Sequence, residues 1–252
     1  MIANQPSLTR KQINSFDGFL LDGTRKALSA LENMFVLSID CSNSTIEIAT
    51  AANSEILKHL GHGTLYVVSS AMAGDLQGSA LLLMRSNDFN LLGKAMRPVL
   101  SLMFLSSPET DLATLDSQKP DWMHDDDTQL TADEAFHQQM MDMLEEMGNV
   151  FIGLYTKAIY KMCRLNTHHS VPVAVRDPGQ RVIKRVLSSA APDQLHLLIE
   201  NEFFVMDKPI KLWCLISPTQ VSFQKLLNRI ERPNAFHFAP SGEPSQVESQ
   251  YL

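Results

Sequence analysis

Three polar residues, Asp142, Glu146 and Asn149, are spaced so that they share one face of a helix. Because an α-helix turns about 100° per residue, steps of four and three residues keep these side chains within roughly 60° of arc. Gly153 continues the row as a bare patch of backbone. A carboxylate beside a carboxamide can bind a cationic group and orient a water molecule, since the amide both donates and accepts hydrogen bonds.

The surrounding sequence predicts a long helix that begins at Thr131 and ends near Asn166. Asp133 and Glu134 fall in its first turn, where negative charge favours a helix N-terminus. The polar row lies away from the centre of the apolar face, so each of its members alone could simply be a solvated surface residue. The apolar face has the three-and-four spacing of a buried stripe: Phe136, Met140, Met143, Leu144, Met147, Phe151, Leu154, Ala158 and Met162.

The polar row is followed by a proline at a fixed distance, which gives the pattern Asp, three residues, Glu, two residues, Asn, twenty-two residues, Pro. Asp142, Glu146, Asn149 and Pro172 fill it. This pattern resembles the motif of the CheC/CheX/FliY family of chemotaxis phosphatases. The segment 145–162, EEMGNVFIGLYTKAIYKM, also resembles the motif helix of that family, with a glycine before the asparagine.

The resemblance implies a protein phosphatase that acts on the phosphorylated aspartate of a CheY-like response-regulator receiver domain. The receiver itself supplies Mg²⁺ and a lysine around the acyl phosphate, so the phosphatase needs no cofactor of its own. By this resemblance, Asn149 is expected to orient the attacking water and Glu146 to pair with the lysine of the receiver. Positioning and charge stabilisation dominate the catalysis of phosphoryl transfer.

The resemblance also gives expectations for the neighbouring residues. Asp142 is expected to support the rim of the contact with the partner, and Gly148 and Gly153 to leave room for its close approach. Pro172 is expected to be structural, because a proline suits the first position of a strand and would shape the connection after the helix.

The order of predicted elements repeats along the chain at an interval of about 130 residues. In the first half, a helix near 23–36 precedes strands at 45–50, 65–70 and 80–84 and a helix from 88 to about 105, with a break expected at Pro98. In the second half, the long helix precedes strands at 171–175, 195–200 and 210–216 and a helix at 219–230.

This repeat predicts an α+β fold with approximate twofold symmetry, in which both halves contribute strands to one antiparallel sheet and two long helices lie on one face. The resemblance implies the same CheC-like fold. The expected division is a first half at 1–105 with a degenerate motif, an acidic linker at 106–130, a second half at 131–232 with the intact motif, and a flexible tail at 233–252.

The first half contains a counterpart of the motif in Asp22, Lys26 and Ser29, with Ala52 in place of the proline. Lysine replaces the acid and serine replaces the amide. A cation at position 26 would repel the lysine of a receiver, so we expect the first half to be a structural copy without activity. A single intact motif makes the chain resemble CheX more than two-motif CheC.

Composition excludes several classes of function. The formal net charge is −7 and no Lys/Arg-rich cluster occurs, which argues against binding to nucleic acid or to an anionic membrane surface. No apolar run is long enough to span a bilayer, and the polar N-terminus lacks the apolar segment of a signal peptide, so the expected location is cytoplasmic. Three widely spaced cysteines predict neither disulfides nor a zinc site, and His168-His169 lacks a third ligand at metal-binding spacing.

Two other interpretations remain open from the sequence. The expected fold is also similar to the middle domain of the flagellar switch protein FliM, which is not a phosphatase, so the chain could be a non-catalytic module that binds receivers or a switch complex. It could also be a scaffold unrelated to phosphate. The sequence does not identify the receiver, the pathway or the oligomeric state, although a homodimer through exposed sheet edges is one possibility.

Overall fold

The computed structural model describes residues 10–35, 38–50, 54–105, 131–188 and 194–230. The predicted linker, the predicted tail and Ala52 lie outside these ranges. In chain order, the elements are α1 (Arg10–Phe35), β1 (Ile39–Thr50), α2 (Glu55–Leu60), β2 (Thr64–Gly74), β3 (Gly78–Arg85), α3 (Ser86–Leu105), α4 (Ala132–Cys163), β4 (Thr167–His169), β5 (Val173–Pro178), α5 (Gly179–Ser188), β6 (Leu195–Val205), β7 (Lys208–Pro218) and α6 (Gln220–Ile230).

The described strands form one seven-stranded sheet in which the neighbours run in the order β1-β6-β7-β3-β2, and both β4 and β5 pair with β2. Every pairing is antiparallel. Strand β1 pairs with β6 from the later part of the chain, and β5 pairs with β2 from the earlier part. The two parts of the chain therefore exchange strands across the sheet.

The sheet separates two hydrophobic clusters. The larger cluster buries one face of the sheet against the long helices α1 and α4 and against α3 and α6, with Leu28, Phe89, Phe151 and Phe223 among its members. The smaller cluster lies on the opposite face, under α2 and α5. Alternate residues of β2, β3, β6 and β7 belong to the two clusters, as the period of a strand requires.

The α+β prediction, with an antiparallel sheet and two long helices on one face, is confirmed. The predicted break at Pro98 is wrong, because α3 continues through this residue to Leu105. Pro98 is exposed, so water can satisfy the carbonyl group that loses its N–H partner. The short elements α2, β4 and α5 were not predicted, and β1 begins at Ile39 rather than at residue 45.

The hairpin between β6 and β7 turns at Met206 and Asp207, both of which have positive φ, 49° and 61°. Two central residues in this region give a turn whose twist matches that of the strands. The turn holds the register of the central strands through Val205↔Lys208. None of the described helices is long and apolar enough to cross a membrane.

Candidate functional site

Helix α4 carries the polar row, and its N-terminus is held by a capping box. The Glu134 backbone N–H donates to Thr131 Oγ1 at 3.3 Å, and the Thr131 backbone N–H donates to Glu134 Oε2 at 2.9 Å. These bonds satisfy backbone donors that have no partner within the helix. The prediction of a helix start at Thr131 is confirmed, and the helix ends at Cys163 with Arg164 in the left-handed conformation (φ 56°).

Asp142, Glu146 and Asn149 are all exposed on this helix. Asp142 Oδ1 accepts a hydrogen bond from Gln138 Nε2 at 2.8 Å. Within the described ranges, the side chains of Glu146 and Asn149 form no hydrogen bond or ion pair. The carboxylate and the carboxamide are therefore both available to a partner.

Gly148 lies on the opposite side of α4 from this row and is buried. A Cβ at this position would lie 2.5 Å from Val68 Cγ1 and 2.9 Å from Val68 Cβ. The glycine thus allows α4 to approach strand β2 closely. The sequence analysis expected Gly148 to leave room for a partner. This prediction is wrong, because strand β2 occupies the space next to Gly148.

A carboxylate that the sequence analysis missed attaches α4 to the sheet. Glu145 Oε1 accepts a hydrogen bond from the Ala174 backbone N–H at 2.7 Å. Pro172 is buried and lies one residue before β5 begins. A charged acceptor is a strong partner for an N–H group, so this bond holds the helix against the strand next to the polar row. Nothing in the periodicity distinguishes Glu145 from a solvated residue.

The segment before β5 runs along the polar row. At one end, the ideal Cβ of half-buried Gly153 would lie 3.3 Å from His169 Nε2, and at the other end Glu145 bonds to Ala174. Between these contacts, Val171 is 85% exposed. The segment therefore presents an exposed apolar side chain on the surface.

Solved structures share this arrangement of sheet and helices. FliY of Thermotoga maritima superposes with a TM-score of 0.55 at 13% identity, covering 88% of this chain and 98% of that chain. The FliM middle domain of H. pylori gives a TM-score of 0.55 at 11% identity, covering 88% and 99%. FliM in the FliG-FliM complex of H. pylori gives 0.54 at 11% identity, covering 88% and 100%.

The chain has the fold of FliY and of the FliM middle domain. The resemblance to the CheC/CheX/FliY family is thereby confirmed at the level of the fold. Neither a family model nor a curated protein matches the sequence.

Within this FliY-type fold, helix α1 presents its own row of Asp22, Lys26 and Ser29, all exposed. Lys26 Nζ forms an ion pair with Asp22 Oδ2. The hydrogen bond from Lys26 lowers the pKa of the Asp22 carboxyl from its ordinary value. In this row the acid and the cation pair with each other, whereas Glu146 on α4 forms no ion pair with any residue that the structure describes.

Two of the three cysteines lie in the core of the described part of the chain. Cys163 and Cys214 are buried, and burial raises the pKa of both thiols, that of Cys163 to about 12. Thiols this far from ionisation are poor nucleophiles and metal ligands. Among the residues that the structure describes, no group of three or more His, Cys, Asp and Glu side chains is placed to hold a metal ion.

Proposed function

We propose that this protein is an aspartyl-phosphate phosphatase that acts on the phosphorylated receiver domain of a CheY-like response regulator. The observation that carries the proposal is the pair of exposed and unpartnered side chains, Glu146 and Asn149, on one face of α4. The spacing of Glu146 and Asn149 to Asp142 and Pro172 matches the motif of the CheC/CheX/FliY family. The shared fold with FliY supports the proposal.

The reaction requires little covalent chemistry from the protein. A water oxygen attacks the phosphorus, the bond between phosphorus and the aspartate oxygen breaks, and the carboxylate leaves; the products are aspartate and dihydrogen phosphate, which carries both protons of the water and then releases one to solvent. Asn149 accepts a hydrogen bond from this water through Oδ1 and can donate one to a phosphoryl oxygen through Nδ2. Placing the water in line with the leaving group supplies most of the acceleration in such reactions.

Glu146 pairs with the active-site lysine of the receiver and so sets the position at which α4 inserts. Asp142, one turn earlier, adds negative charge at the rim of this contact, and Val171 offers an apolar contact beside it. Gly153 has no side chain and so leaves room for the receiver to approach the end of the row. The receiver supplies Mg²⁺, and this chain contributes no metal ligand to the reaction.

A second candidate is a non-catalytic adaptor that binds a receiver or a flagellar switch component. The likeness to the FliM middle domain of H. pylori, with the same TM-score of 0.55 as that to FliY, favours it. FliM of H. pylori has been solved in complex with FliG. An adaptor would use the same exposed face of α4 without positioning a water.

The lifetime of the receiver phosphate separates the two candidates. Phosphorylated CheY-like receivers from the source organism are incubated with substoichiometric amounts of the protein, and the release of inorganic phosphate is followed. The phosphatase proposal predicts multiple turnovers on at least one receiver. Binding to a phosphorylated receiver with no change in phosphate lifetime would instead identify an adaptor, and the absence of both for every receiver would refute the phosphatase and the receiver-binding adaptor.

A further inference from the structure

The face of the sheet opposite α4 contains a cavity of about 560 Å³. It lies between α5 and strands β2, β3, β5 and β7, next to the smaller hydrophobic cluster, which shares wall residues with it. Its apolar walls come from five residues of the sheet and of α5: Val67, Leu81, Val175, Val182 and Val186. This volume is in the range of pockets that hold small organic molecules.

One end of the cavity is polar. Gln194, Ser217 and Thr219 line this end. Gln194 Nε2 donates to the Pro218 carbonyl at 2.6 Å and to Ser217 Oγ at 3.4 Å. A few polar groups on an otherwise apolar wall are the usual means by which a pocket orients a ligand.

A buried histidine lies behind this polar end. His196 Nδ1 is 2.9 Å from Ser217 Oγ, while its Nε2 is buried and has no hydrogen-bond partner in the described part of the chain. Burial lowers the pKa of His196, so the imidazole is neutral at pH 7. Burying a polar atom without a partner is costly, and His196 Nε2 is such an atom next to the polar end of the cavity.

The mouth of the cavity is basic. Helix α5 carries Arg181, Lys184 and Arg185 and no acidic residue, in a chain whose formal net charge is −7. Arg181 and Arg185 both contact the Asp177 carboxylate, at 2.9 Å and 3.4 Å. Of these side chains, Arg185 lines the cavity. The local excess of positive charge favours an anion at this position.

We propose that this cavity binds a small amphipathic anion, with its apolar body between α5 and the sheet and its anionic group at Arg185. The apolar walls match the body of such a ligand, and Arg185, which carries five N–H donors, can donate to a carboxylate or sulfonate in addition to its contact with Asp177. The cavity opens on the face of the sheet away from Glu146 and Asn149. A ligand in the cavity therefore does not compete with a receiver at α4. The cavity can be tested without a receiver, so a failure of either proposal leaves the other intact.

The fluorescent aromatic sulfonate 1-anilinonaphthalene-8-sulfonate serves as the probe, titrated against the folded full chain, with octanoate and 1-octanol as competitors. We expect one bound probe per chain, displaced by octanoate at least about tenfold more effectively than by 1-octanol. Failure of the folded protein to bind the probe, or equal displacement by the acid and the alcohol, would overturn the proposal.

Matched charge reversals on α5 locate the anionic group. Arg185→Glu should weaken probe binding by about tenfold or more, because it reverses a charge inside the cavity. Lys184→Glu makes the same change in net charge on the adjacent exposed residue, which does not line the cavity, and should weaken binding less than about threefold. Equal effects of the two variants would show that the probe responds only to overall charge.

A second pair of variants tests the location without removing any charge. Ser69 is exposed and lines the cavity, so Ser69→Phe should fill its mouth and abolish probe binding. Ala73 is exposed on the same strand and the same face but does not line the cavity, and Ala73→Phe should leave binding unchanged. Retained binding in Ser69→Phe, with thermal melting like that of wild type, would contradict the assignment.

Discussion

Helices α1 and α4 present rows of the same spacing, and the two rows differ in what their side chains contact. On α1, Lys26 pairs with Asp22, so the acid and the cation satisfy each other. On α4, Glu146 takes the place of the lysine and has no partner within the described ranges. Two like-charged residues four apart on a helix are less stable than an opposite pair. The α4 row thus gives up a local stabilisation that the α1 row keeps, as sites of function often do.

The largest expected effect comes from a substitution that makes the row on α4 resemble the row on α1. Glu146→Lys places a cation where the receiver lysine would enter, and like charges brought together at an interface cost several kcal/mol. We expect affinity for the phosphorylated receiver to fall at least about 30-fold. Titration of a labelled receiver measures this change, with Lys26→Glu as the control. An unchanged affinity in Glu146→Lys would remove Glu146 from the interface.

The close approach of α4 to the sheet can be tested with two glycines. Gly148→Ala places a Cβ against stiff, buried Val68 at 2.5 Å, and we expect a loss of about 1–3 kcal/mol in the free energy of unfolding. Gly153→Ala meets only His169 Nε2 at 3.3 Å and gains helix propensity, so its change should stay within about 1 kcal/mol. Urea unfolding compares the two, and similar losses would contradict the account of Gly148.

Each long helix attaches to a later strand through a carboxylate, α1 to β1 and α4 to β5. Glu32 Oε1 accepts from the Ile39 N–H at 2.9 Å, and Glu145 Oε1 accepts from the Ala174 N–H at 2.7 Å. Glu32→Ala and Glu145→Ala should each lower the free energy of unfolding by about 1–2 kcal/mol. Only Glu145→Ala should also slow receiver dephosphorylation, because only Glu145 lies beside the active row. Equal rates in the two variants would make Glu145 purely structural.

The smallest expected effect concerns the stability of the rows themselves. Lys26→Glu removes an ion pair with Asp22 and leaves two acids four residues apart, so it should lower the melting temperature slightly. Glu146→Lys creates an opposite pair with Asp142 and should leave the melting temperature unchanged or slightly raised. Calorimetry at low and high salt tests both, because salt should diminish the difference. Shifts of the same sign would contradict the comparison.

The sequence predicted helix α4 well because its stripe is long and periodic and its cap residues are typical. Helix α5 was missed because it is only 10 residues long and begins at Gly179 directly after Pro178, two residues common in turns. The exchange of β1 and β5 between the two parts of the chain depends on contacts far apart in sequence, which local patterns do not encode. Pro98 was misjudged because exposure lets water replace the lost hydrogen bond.

Within the candidate site, the exposed row followed from helical geometry alone. The burial of Gly148 against Val68, the bond from Ala174 to Glu145 and the exposure of Val171 did not, because each depends on where the sheet lies relative to α4. The cavity beside α5 could not be predicted from the sequence for the same reason, since strands β2, β3, β5 and β7 all contribute to its walls.

The most direct test compares Asn149→Ala with Ser29→Ala, its counterpart on α1. The rate of phosphate loss from the cognate receiver is measured at saturating protein, together with the affinity for that receiver. Loss of one well-placed polar group should reduce the rate by about 10²–10³ in Asn149→Ala while affinity changes little, and Ser29→Ala should behave like wild type. A wild-type rate in Asn149→Ala would contradict the proposed role of this face of α4.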